Sequence, residues 1–193
     1  MYIVAITGAS GSIIGIRLIE ELLKIKKKVS VIVSQQGWTT LQYELYHNKK
    51  KFASIFHVLK ERGFDFDSKL LKEYQNDDFM SPPASGTSKF HALMIAPSSM
   101  KTLASIANGL ADSLINRAAD VALKEKRNCI LVTRESPLSM IHLENMLKVK
   151  RAGAQIVPPM PAFYNFPKTI DDVVDFVVGK ILNLLEIEHQ LFH

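Results

Sequence analysis

Small, hydroxyl-bearing and charged residues concentrate at a few points of this chain. Gly8-Ala9-Ser10-Gly11 follows an apolar run and opens a helical one. Residues this small let backbone N–H groups approach an anion, and a helix N-terminus favours negative charge. Gly8, Gly11 and Gly15 lie three and four positions apart, so the spacing is not Gly-x-Gly-x-x-Gly, and no Gly-Lys-Ser/Thr makes it a P-loop. A tight turn with close helix packing is the alternative. Ser98-Ser99-Met100-Lys101-Thr102 supplies hydroxyls and a cation at a helix start, or simply a capping cluster. Arg134-Glu135 directly follows an apolar strand, where a planar guanidinium suits phosphate. Ser34 stands after the second strand, where a dinucleotide site needs an acid for the ribose diol. That points to a mononucleotide.

Other reactive residue types are less informative. Lys124, Lys126 and Arg127 end a helix, where cations complement the dipole, and a structural role for Lys124 is the simpler reading. The six histidines (His47, His57, His91, His142, His189 and His193) show no metal-ligand spacing, so no metal is expected. The single cysteine, Cys129, begins a buried-looking strand and excludes a disulfide framework or zinc finger. No Gly-x-Ser-x-Gly elbow is present.

The elements that must position these residues alternate between strand and helix. Tyr2 to Thr7, Val29 to Val33, Ala92 to Ala96, Cys129 to Val132 and Gln155 to Val157 are short apolar runs suited to strands buried on both faces. Between them, helical spacing predicts helices over Ile16 to Lys28, Trp38 to His47, Thr102 to Ile106, Ser113 to Lys126 and Ile141 to Arg151. A last helix starts at Thr169, with Asp171 and Asp172 at its positive end, and runs to about Leu185. Asp65 to Ser88 reads as a long polar loop. The pattern predicts an α/β fold, three-layered and doubly wound on a mostly parallel sheet, Rossmann- or flavodoxin-like, as a single domain over residues 1–193. Ligands of such sheets bind beyond the carboxyl ends of the strands, which is where the glycine, hydroxyl and arginine loops fall.

Composition agrees. With 47% hydrophobic and 22% charged residues, wholesale disorder is excluded. The net charge of +5 suits an anionic small ligand. No apolar run reaches membrane-spanning length and Met1 leads straight into a strand, so a cytoplasmic protein is expected. Lys24 to Lys28 and Lys49 to Lys51 lack interleaved aromatics, so no nucleic-acid partner is expected.

Taken together, these segments resemble the flavin prenyltransferase family (UbiX-type, of the flavodoxin-like flavoprotein decarboxylase superfamily). The resemblance is carried by Thr7 to Gly11, Met80-Ser81-Pro82-Pro83-Ala84-Ser85-Gly86, Ala96 to Leu103 and Asn116 to Glu125, and further by Arg134-Glu135-Ser136-Pro137, Ile141 to Met146 and Phe163-Tyr164. It spans essentially the whole chain. It implies an enzyme that joins a dimethylallyl group from dimethylallyl phosphate to N5 and C6 of reduced FMN without a metal. The prenylated FMN would pass to a separate UbiD-type decarboxylase.

By the same resemblance, Gly8, Ala9, Ser10, Ser34, Ser99, Met100, Lys101, Thr102 and Arg134 would hold FMN. Ser85, Lys124, Arg134, Tyr164 and Lys180 would surround the prenyl phosphate, Lys180 standing where arginine is usual. Glu44, Glu135 and Ser10 would be catalytic, the two acids in proton transfers. The family implies a homo-oligomer, commonly a dodecamer, with sites shared between subunits. The chain ends at His193, so the longer C-terminal tail of some relatives is expected to be missing. A decarboxylase on the same scaffold and a non-catalytic FMN carrier are the alternatives. Against the first, Pro158-Pro159-Met160-Pro161 lacks the asparagine of the cysteine decarboxylases' Pro-x-Met-Asn segment.

Overall fold

A computed structural model gives the structure of residues 1–192; His193 lies outside the described residues. The elements run β1 (Tyr2–Ile6), α1 (Ser12–Lys24), β2 (Val29–Val33), α2 (Gln35–Tyr46), α3 (Ile55–Glu61), β3 (Leu71–Tyr74) and β4 (Ala92–Ser98). They continue with α4 (Met100–Ala107), α5 (Leu114–Lys124), β5 (Asn128–Thr133), α6 (Met140–Arg151), β6 (Gln155–Ile156) and α7 (Ile170–Leu184). Among the described residues the strands form one parallel sheet in the order β3-β2-β1-β4-β5-β6.

Alternation along each strand builds two cores. Val4, Ile6, Val31, Met94 and Ile130 face one side with α1, α2, α3 and α7. Ile3, Ala5, Ile32, Leu93 and Leu131 face the other with α4, α5 and α6. Strands apolar on both faces require helices on both faces, which makes the three layers. The chain order reverses between β1 and β4, and this is where such folds open a ligand crevice.

Several boundaries differ from the sequence expectation. The first helix begins at Ser12 and ends at Lys24, four residues early at both ends, because Gly11 (φ 102) turns the chain into it and Lys26 (φ 57) turns the chain out. The stretch Asp65 to Ser88 is not wholly loop. Leu71–Tyr74 forms the edge strand β3, paired in register with Val29–Ile32, and Ser68–Leu70 and Pro82–Ala84 form 3₁₀ turns. An edge strand with one partner and a half-exposed face tolerates Lys72 and Glu73, so no apolar run announces it. Glu73 in turn accepts from Ser54 Oγ and from the N–H groups of Ile55 and Phe56, capping α3. The last helix starts as expected, with a capping box between Thr169 and Asp172.

Gly15 sets how closely α1 lies on the sheet. A Cβ there would stand 2.2 Å from the Ala96 carbonyl oxygen and 2.8 Å from Ile6 Cγ1. We therefore expect Gly15→Ala to lift α1 from β1 and β4 and to cost roughly 1–3 kcal/mol, read as a lower urea midpoint at unchanged m-value.

Candidate functional site

The carboxyl ends of β1, β2 and β4 meet around a cleft of about 290 Å³, near the lower end of ligand-site volumes. One wall consists of Thr7 and Gly8 after β1, Ser34 and Gln36 after β2, and Ser99, Lys101 and Thr102 after β4. The facing wall is Asn76, Asp112, Ser113 and Asn116. Five of the residues expected to hold FMN therefore converge: Gly8, Ser34, Ser99, Lys101 and Thr102. Ala9 is buried, Ser10 is exposed at the tip of the same turn, and Met100 is half-buried against the α4 side of the core. Arg134 is exposed beyond β5, and its N–H donates to the carbonyl of Ser98 at 3.3 Å, beside Ser99.

The hydroxyls do structural work as well. Ser34 Oγ accepts from the N–H of Gly37, capping α2, and Ser99 Oγ accepts from the N–H of Thr102, capping α4. The capping reading of these residues is thus met, and both also line the cleft. Asn76 closes the far wall: its carbonyl accepts from Leu114 N–H at 2.7 Å and its Oδ1 from Ile115 N–H at 3.2 Å. No sequence signal assigns Asn76 or Asp112 to a site, since both lie in polar stretches without periodicity; Ser113 and Asn116 fall within the expected Ser113 to Lys126 helix, and Asn116 opens a segment of the family resemblance, but neither is given a place at the cleft by it.

Glu44 occupies an unexpected position. Its Oε1 and Oε2 accept from the N–H of Gly11 at 3.0 and 3.1 Å, and Oε2 also accepts from Ser12 at 3.0 Å. The start of α1 does hold an anion, and that anion is a side chain of α2. Glu135, by contrast, is exposed, and Ser136 N–H donates to its Oε1 at 2.9 Å.

The residues expected around the prenyl phosphate fall into three separate places. Arg134 lies at the carboxyl end of β5. Ser85 and Lys124 lie at the amino end of the sheet, where Arg127 donates to the carbonyls of Gly86 and Ser88 and Gly86 packs against Lys124 and Glu125. The six residues of β5, at roughly 3.3 Å each, separate Lys124 from Arg134 by about 20 Å. Tyr164 is on the surface, edge-on to Phe176 of α7 at 6.0 Å, and Lys180 is exposed one turn further along that helix.

The donor set fits a phosphorylated polyol. The cleft offers hydroxyls, amides and one ammonium, and its single carboxylate, Asp112, already accepts from Asn116 Nδ2 at 2.7 Å. Beside it, Ser98 Oγ and Thr133 Oγ1, at the carboxyl ends of β4 and β5, are buried without a hydrogen-bond partner. Among the described residues no three His, Cys, Asp or Glu side chains are grouped as a metal requires. Burial pushes the Cys129 thiol up to about 12, so it stays protonated at neutral pH.

A doubly wound sheet with a polar cleft at its switch point defines a nucleotide-binding class of α/β protein. The chain belongs to the Flavoprotein family, whose model matches residues 1–182, and within it to the UbiX-type flavin prenyltransferases. It is 45% identical over 192 residues to flavin prenyltransferase UbiX of Halalkalibacterium halodurans, covering 100% of this chain and 91% of that one. To UbiX of Methanocaldococcus jannaschii it is 46% identical over 190 residues, 98% of this chain and 95% of that one. Among solved structures it resembles AnUbiX (PadA1) in complex with FMN and dimethylallyl pyrophosphate, with a TM-score of 0.88 and 37% identity over 100% of this chain and 95% of that one. It also resembles a dodecameric FMN-dependent UbiX-like decarboxylase from Escherichia coli O157:H7, with a TM-score of 0.86 and 37% identity over 100% and 98% of the two chains.

Removing the Glu44 carboxylate leaves the first N–H groups of α1 without their acceptor. Glu44→Ala is expected to lower stability by roughly 0.5–2 kcal/mol, measured by thermal unfolding, while Glu135→Ala, which frees only an exposed bond, leaves the melting temperature nearly unchanged.

Proposed function

We propose that this chain is a flavin prenyltransferase that joins a dimethylallyl group from dimethylallyl phosphate to N5 and C6 of reduced FMN. The observation that carries the reading is the convergence of Ser34, Ser99, Lys101 and Thr102, from the ends of two strands, on one cleft. The full-length likeness to flavin prenyltransferases supports it. Reduced FMN supplies the nucleophilic nitrogen and carbon that take up the prenyl group. The chain's own part is to hold that flavin, stabilise the leaving phosphate and remove a proton.

Holding the flavin falls to the turn Gly8-Ala9-Ser10, to Ser34, and to the Ser99-Met100-Lys101-Thr102 start of α4, with Arg134 beside them. Stabilising the phosphate falls to Ser85, Lys124, Arg134, Tyr164 and Lys180. An allylic monophosphate ionises slowly unless charge developing on the phosphate oxygens is met by fixed donors, each worth roughly 100-fold or more in rate. Lysine at position 180 meets it as a point charge without arginine's bidentate fork. Among the described residues Glu135 has a second carboxylate oxygen without a hydrogen-bond partner, which suits it to take the proton lost on ring closure. Glu44 serves the same loop by anchoring it, through its bonds to Gly11 and Ser12.

The separation of Lys124 from Arg134 supports a site assembled between copies of the chain, since neither side chain spans a strand's length. The assembly we propose is a homo-oligomer, a dodecamer as in the Escherichia coli relative. Within this reading the chain is one domain over residues 1–193, and its product passes to a separate UbiD-type decarboxylase. Cytoplasmic location is proposed with it; no described helix is long and apolar enough to cross a membrane.

Anaerobic incubation with FMN, dithionite and dimethylallyl phosphate is expected to raise the mass of the bound flavin by one prenyl group. Unchanged flavin with both the monophosphate and the pyrophosphate overturns the reading. Sharing between subunits has its own test. Lys124→Ala and Arg134→Ala chains, each inactive alone, are expected to regain part of the wild-type rate when co-expressed as mixed oligomers. No recovery places both residues in one chain's site.

A further inference from the structure

We propose that Thr7 is a positioning residue of the cleft, its hydroxyl holding the start of α4 in the orientation that FMN binding uses. The inference rests on the FMN reading above and adds to it a residue that neither composition nor resemblance assigned to the site. Thr7 is 2% exposed and lines the cleft. Its Oγ1 donates to the carbonyl of Pro97 at 2.9 Å and accepts from the N–H of Ser99 at 2.8 Å. Its own N–H donates to the same Pro97 carbonyl at 3.2 Å.

The consequence lies one residue further on. Ser99 caps α4, its Oγ accepting from Thr102 N–H at 3.2 Å and lying 3.0 Å from Thr102 Oγ1. A shift of the Ser99 backbone therefore carries both hydroxyls with it and, through the first turn of α4, Lys101. These three side chains are the whole contribution of the first turn of α4 to the cleft wall. Among the described residues Thr7 Oγ1 is the acceptor of Ser99 N–H, which lies before the first helical turn and beyond the last β4–β5 register pair, Ser98 with Thr133. One hydroxyl thus fixes a junction 92 residues away in sequence.

Two substitutions separate hydrogen bonding from shape. Valine keeps the branched outline of threonine and loses both hydroxyl bonds; serine keeps the bonds and loses a methyl group. Apo protein titrated with FMN, followed by quenching of flavin fluorescence, is expected to bind roughly tenfold or more weakly in Thr7→Val, and within about twofold of wild type in Thr7→Ser. Thermal unfolding of the FMN-free chains identifies any variant that is not folded. Wild-type affinity in folded Thr7→Val overturns the proposal. So does a loss of roughly tenfold or more in folded Thr7→Ser, which keeps both hydroxyl bonds, since shape would then be what the site needs; this outcome decides even if the valine variant does not fold. Failure of the wild-type chain to bind FMN overturns the FMN reading itself, and this inference with it.

Discussion

At the tip of β1 the Ile6 carbonyl accepts the N–H of Ser34, and the next residue, Thr7, bonds to both Pro97 and Ser99. The turn that follows is held from α2 by the Glu44 carboxylate at Gly11 and Ser12. Three loops from distant parts of the chain are therefore hung from one strand end. Parallel strands leave their last N–H and C=O groups without ladder partners, and buried backbone groups must find others. Here they find them in one another, and that keeps the loops at a fixed spacing around an open cleft instead of collapsed across it.

In this arrangement the same serines both cap helices and line the cleft. Ser34 and Ser99 are N-caps first, each accepting from an N–H three residues on. Their helices then point their positive ends toward the cleft, adding a favourable field for an anion to the hydroxyls and Lys101. Acidity is kept out by local neutralisation: Glu44 is taken up by backbone donors, and Asp112 accepts from Asn116. Of the chain's positive charges, Lys101 lines the cleft and Arg134 stands beside Ser99, while the lysine-rich α1–β2 connection is exposed and solvated.

Much of the fold was legible from residues alone. Five of the six strands, six of the seven described helices and the capping at Thr169 follow from apolar runs, helical spacing and end residues, whereas α3 (Ile55–Glu61) was not among the expected helices. The exceptions have separate causes. β3 escaped notice because one neighbour and a solvated face relax the demand for apolar side chains, leaving Leu71-Lys72-Glu73-Tyr74 without a signature. Helix α1 was placed four residues late because the glycines were read as a turn rather than as one turn residue, Gly11, followed by a helical Gly15. Of the site, the near wall was legible from its hydroxyls and glycines; the far wall was not, because Asn76 and Asp112 lie in stretches whose polarity is ordinary for a surface, and Asn116 sits in an amphipathic helix whose pattern does not show which cleft it faces.

By itself the sequence determined the local facts: which segments are buried strands, where helices start, and which loops carry groups able to hold an anionic mononucleotide. These depend on neighbours within a few residues, where periodicity and capping chemistry operate. Only the tertiary structure decided what those groups are free to do. It committed Glu44 to the start of α1, joined Thr7 to Ser99, and put Lys124 and Arg134 at opposite ends of β5. The physical reason is that a hydrogen bond or a shared phosphate depends on distances of a few ångströms. Between residues tens of positions apart, those distances are set by the sheet order and by how closely helices pack on it, which no local pattern records.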